Sequence, residues 1–115
     1  MTTQDIFFSL GKVDDDNTFF RVPFRCTVRN LSGVTAADCR DETFTISSGG
    51  DDIGTLTFPD EAAYASEGDA HGGYSPDSTH GDKVLDKGDV IQVTTADATA
   101  AAFMLLELDP FGRKA

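Results

Sequence analysis

Both histidines, His71 and His80, fall in one Gly-, Ser-, Asp- and Pro-rich stretch, Pro59–Asp82, nine residues apart among carboxylates. Imidazole and carboxylate are ligands for zinc, but this spacing matches no standard site and neither cysteine is near in sequence. A small cupin-like enzyme would want paired histidines and a carboxylate at close strand spacing, which the chain lacks. The run Asp14-Asp15-Asp16 offers oxygen donors for Ca²⁺. Its spacing is not that of a Ca²⁺ loop, and adjacent side chains diverge on an extended backbone, so it reads as a solvated acidic turn. Tyr64 and Tyr74, with Asp60, Glu61 or Asp69 as ligands, leave open a Ca²⁺-assisted module that stacks on sugars.

Other chemistries find no foothold. There is no G-x-S-x-G, no P-loop and no G-x-G-x-x-G. Neither Cys26 nor Cys39 has a histidine at a recognisable catalytic spacing. With 20 Asp and Glu in the chain, no single carboxylate pair can be picked out as a glycosidase pair. The expectation is a protein with no catalytic residue and no cofactor, acting through its surfaces.

Elements must position those surfaces. At 115 residues the chain is one domain with room for one sandwich or barrel core. A net charge of −11 disfavours phosphate backbones and anionic lipid as partners. No run approaches the length of a membrane span, and the start lacks a leader pattern, so synthesis in a cytoplasm is expected. There the two cysteines default to free thiols, with Cys26 a small core residue.

Alternation sets the strands. Ile6–Leu10 puts Ile6, Phe8 and Leu10 on one face and Phe7 on the other. Such an arm suits pairing with a neighbouring subunit or edging its own sheet. Lys12–Asn17 reads as a turn. Phe19–Asn30 reads as one long strand, with Phe20, Val22, Phe24, Cys26 and Val28 inward. Arg21, Arg25 and Arg29 then form an outward cationic stripe, either a docking stripe or cross-strand partners for acids. Pro23, lacking an N–H, points to an edge or a bulge. Leu31–Asp41 reads as a connection. Glu42–Ser47 and Ile53–Phe58 flank a Gly49-Gly50 hairpin turn. Pro59–Asp82 reads as a long loop with a short helical turn over Asp60–Ser66 and a weak strand around Gly72–Ser75. Lys87-Gly88-Asp89 turns into a strand carrying Val90, Ile91 and Val93. In Ala101–Leu108, Phe103, Leu105 and Glu107 alternate with Met104, Leu106 and Leu108, which suits a central strand or one covered by another subunit. Together these predict an all-β, single-domain antiparallel β-sandwich, jelly-roll-like, of six to eight strands with one long loop. Residues 1–18 would form an N-terminal arm and residues 109–115 a C-terminal tail.

The order of motifs is FRVPFRCTVRNLSGVTAADC, then ETFTISSGGDDIGTLTF, then AAYASEGDA, then KGDVIQV and a final apolar strand. It resembles the small β-sandwich decoration, or cement, proteins of tailed-bacteriophage heads, over about Phe19 to Leu108. The resemblance implies a structural virion protein on the outer surface of the capsid. Its partner would be the major capsid protein, whose neighbouring subunits it bridges, and it would act as a homotrimer. Related sandwiches occur in phage tails and fibres, which stay as an alternative. The contact candidates are Ile6, Phe7 and Phe8, the stripe Arg21, Arg25 and Arg29, and Phe103 with Leu105.

Overall fold

Eight strands fold as one long hairpin rolled upon itself. The computed structural model describes residues 5–65, 71–96 and 99–110. The strands are β1 (Ile6–Val13), β2 (Thr18–Arg21), β3 (Cys26–Thr35), β4 (Glu42–Ser48), β5 (Asp51–Phe58), β6 (Gly73–Pro76), β7 (Val90–Thr94) and β8 (Ala102–Pro110). β1 pairs with β8, β2 with β7 and β4 with β5, all antiparallel. Two sheets result, a three-stranded β1-β8-β3 and a five-stranded β2-β7-β4-β5-β6. First strand on last, second on second-to-last, is jelly-roll winding. The β3–β6 rung is reduced to a bridge between Val34 and His71, and β6 itself extends the five-stranded sheet beside β5.

The core lies between the sheets. Phe44, Ile46, Leu56, Phe58, Ile91 and Val93 come from the five-stranded sheet, facing Leu31, Met104, Leu106 and Leu108 from the other. Burying each such large side chain contributes roughly 1.5–3 kcal/mol. Phe44 meets Phe58 edge-on at 6.0 Å, and Phe58 meets Tyr64 at 5.9 Å. Gly33 of β3 is tightly surrounded: an added Cβ would lie 3.0 Å from Leu56 Cδ2 of the facing sheet and 3.3 Å from Met104 Cγ of the neighbouring strand.

The stretch Phe19–Asn30 is not one strand. β2 stops at Arg21 in the five-stranded sheet, and β3 starts at Cys26 in the three-stranded one. Pro23 stands in the crossing, where its missing N–H and fixed φ suit a corner. The alternation survives because both strands turn the same parity toward one core, so Val22, Cys26 and Val28 are all buried. Leu31–Asp41 is likewise not only a connection, since β3 runs on to Thr35. A bulge between Val28 and Asn30 shifts the inward phase by one residue, to Leu31, Gly33 and Thr35. That shift, with a glycine in the pattern, ends the period-two signal early. A second bulge between Ser9 and Gly11 carries β1 on through Lys12 to a fully buried Val13, where the sequence predicts a turn.

The turns follow their residues. Ser48 pairs with Asp51, leaving Gly49 and Gly50 as a two-residue loop with φ of 61° and 87°. Two positive φ values make a type I′ hairpin, which glycine takes without strain. In the long loop the short helical turn is a 3-10 turn at Ala62–Tyr64, and the weak strand is β6. Lys83 Nζ donates to the Ser48 carbonyl and to Asp51 Oδ2, both at 2.9 Å, tying the loop's end to the Gly49-Gly50 hairpin.

Candidate functional site

Strand β8 is the middle of the three-stranded sheet, so its two faces see different surroundings. Met104, Leu106 and Leu108 point into the core and are at most 3% exposed. Phe103 and Leu105 point away from it and are 42% and 39% exposed. Register carries this pattern across the sheet. Phe7 of β1, 55% exposed, lies opposite Glu107; Lys12 and Val34 lie opposite Phe103; Ser9 and Ser32 flank Leu105. The outer face therefore carries an apolar stripe of Phe7, Leu105 and Phe103. A shallow hollow of about 280 Å³ runs beside it, bordered by Ser32, Val34 and His71.

The two ends of this face differ in charge. At one end stand Asp5, Glu107 and Asp109, with Arg29 Nε 3.3 Å from Asp5 Oδ2. The hydrogen bond between Glu107 and Asp5, then partial burial, push the Glu107 carboxyl above its usual range. At the other end stands Lys12, which among the described residues has no acidic partner.

The outer face of the five-stranded sheet is built otherwise. Thr43 pairs with Thr57, and Thr45 pairs with both Thr55 and Thr94. The Thr43 and Thr57 hydroxyls are 3.3 Å apart. Among the described residues, its exposed large apolar side chains stand at the β2 end, where Phe19 is 60% exposed and Val90 39%, beside Arg21 and Gln92.

The structure scatters the expected cationic stripe. Arg21 lies on the outer side of the five-stranded sheet. Arg25 lies in the corner, 3.6 Å from Asp86, and Arg29 lies at the bulge of β3 against Asp5. Of the N-terminal candidates, Phe7 faces out, Ile6 is half-buried, and Phe8 turns inward to stack with Phe20 at 5.0 Å and Phe24 at 6.2 Å. Phe7, Phe103 and Leu105 are the candidates that share one surface. Phe19 and Val90 belong to no sequence candidate, although their parity, opposite to Phe20, Ile91 and Val93, signals that they face out.

The sugar-stacking alternative loses its platforms. Tyr64 is packed on Phe58, and Tyr74 lies over Gly54 with its hydroxyl buried and without a hydrogen-bond partner. Asp69 lies outside the described residues. His71 sits beside β3, whereas His80 sits 3.7 Å from Asp51 and 3.9 Å from Asp77. Among the described residues no three His, Cys, Asp or Glu side chains gather as a metal-binding group. Cys26 and Cys39 are buried free thiols. Burial first, then Asp109 and Asp89, pushes Cys26 up to about 11, which suppresses the thiolate. A cleft of about 420 Å³ opens between β3 and the loop after β6, with Arg29, Asp77, Asp82 and Asp109 on its walls. Asp77 is already engaged there, accepting the backbone N–H of Thr79 and of His80 at 2.9 Å.

No family model, curated protein or solved structure matches this chain.

Proposed function

We propose that this chain is a structural virion protein that decorates and cements the outer surface of a tailed-phage capsid by bridging major capsid subunits. The observation that carries this is the apolar stripe of Phe7, Leu105 and Phe103 on the outer face of the three-stranded sheet. A chain of net charge −11 that leaves such side chains in water fits a protein whose sheet is covered on assembly. Support also comes from the motif order that resembles decoration proteins, and from a jelly-roll winding common to capsid domains. Fold alone does not specify role, so the weight rests on the surface. Cementing needs no reaction. Each bridge adds an interface that must break before the shell opens.

The test is co-sedimentation with shells assembled from the major capsid protein encoded in the same genome. Binding that saturates at a fixed ratio to shell subunits, with a raised shell-disruption temperature, is expected. Protein that stays in the supernatant at every concentration would remove the proposal.

A further inference from the structure

The charges at the two ends of the stripe point to its occupant. We infer that two copies of this chain pair through the outer faces of their three-stranded sheets, about a two-fold axis that crosses the strands near Leu105. This rests on the reading of that face as a contact surface. Such an axis sets β8 against β8 in opposite directions. The Lys12 end of one copy then meets the Asp5–Glu107 end of the other, twice over, as an isologous interface requires. Phe103 to Glu107 spans about 13 Å at ~3.3 Å per residue, so the two ends are separate, and only this reversal joins them. A two-fold axis along the strands would instead lay β1 over β3 and set Lys12 against Val34, with no charge match.

The fit has three parts. Lys12, which has no acidic partner within the described chain, gains one. Glu107, whose carboxyl Asp5 raises above its usual range, gains a cation. Phe7, Leu105 and Phe103 leave water together, at the face-to-face spacing of about 10 Å usual for packed sheets. The size of the face sets the strength. Three strands at ~4.8 Å spacing and about eight residues give a face of about 14 by 26 Å, below a standard stable interface. The dimer is therefore weak in dilute solution, with a dissociation constant on the order of 100 µM. On a shell, where copies sit side by side, effective concentration makes up the difference. This two-fold arrangement stands in place of the homotrimer that the resemblance implies.

Sedimentation of the full chain from about 10 µM to about 1 mM tests it, across the expected dissociation constant. A reversible monomer–dimer equilibrium is expected, abolished by Leu105→Asp. Lys12→Glu and Glu107→Lys should each weaken it at least fivefold, and the double variant should restore it. All these positions face outward, and circular dichroism checks that each variant folds. Should Leu105→Asp unfold, the charge exchange decides alone. A monomer throughout, a trimer, or a double variant no better than the singles overturns the two-fold pairing. A dimer that ignores shells keeps the pairing and removes the virion role. A monomer that binds shells does the reverse.

Discussion

The two outer faces of this sandwich solve one problem differently. Both belong to well-paired antiparallel sheets over a shared core. The five-stranded face carries threonines paired across its strands, with the Thr43 and Thr57 hydroxyls 3.3 Å apart. It needs no partner over most of its area. The three-stranded face leaves Phe7, Leu105 and Phe103 in water and charges its two ends with opposite signs. Sheet stability cannot account for that, because the inward residues of β8 already supply the core. On the proposed reading, the smaller sheet is the side that assembles.

The comparison can be broken first within β8 itself. Leu106→Ala should cost about 3 kcal/mol, and Leu105→Ala no more than about 0.5 kcal/mol, by chemical denaturation. Equal costs would mean that the outer side chain is part of the folding core. The next largest effect concerns assembly. Phe103→Asp should weaken association with shells by roughly 30-fold, equivalent to about 2 kcal/mol, while Thr45→Asp on the other face changes it little. Similar losses at both positions would erase the distinction between the faces.

A smaller effect comes with pH. The Glu107 carboxyl is raised in the folded protein, so the fold binds its proton more tightly than the unfolded chain does. Its contribution is full below the ordinary value of 4.5 and is lost as pH rises through the raised value. Glu107→Gln should remove that loss and leave the protein slightly more stable at neutral pH. Asp51 and Asp77 act with the opposite sign. Lys83 lowers Asp51 chiefly by a hydrogen bond, and the backbone N–H groups of His80 and Thr79 lower Asp77. Their stabilisation holds above 3.8 and fades as pH falls below it. Thermal melts from pH 3 to 7, run on wild type and Glu107→Gln, separate the two signs. A variant whose profile parallels wild type would place the carboxyl outside the linkage. The smallest effect is on the polar face. A double-mutant cycle between Thr43 and Thr57 should give a coupling of about 0.2–1 kcal/mol. A larger value would mean that the threonine ladder is itself a main source of stability.

Much of this was legible in the residues. The parity of Phe103 and Leu105 against Met104 and Leu106 already describes a strand with two apolar faces. Phe7 against Ile6 and Phe8 places one more aromatic outside. Glycines at 49 and 50 fix a hairpin. What misled was alternation that runs on through a change of sheet. Phe20 to Val28 keeps one inward parity across the Pro23 corner, so the three arginines read as one stripe when they occupy three places. Bulges hid the rest, since one extra residue at Arg29 or Leu10 reverses the phase without leaving a local signature. The charged ends of the outer face were not legible. Asp5, Arg29 and Glu107 come from three distant strands or their flanks, and only the register brings them together.

The most direct measurement is oxidative footprinting of this chain, free at low concentration and bound on assembled shells. Phe7, Leu105 and Phe103 should lose their labelling on assembly, while a residue in contact with water in both states keeps it. Equal labelling of these three side chains in the free and assembled states would contradict the assignment of the three-stranded sheet's outer face as the contact surface.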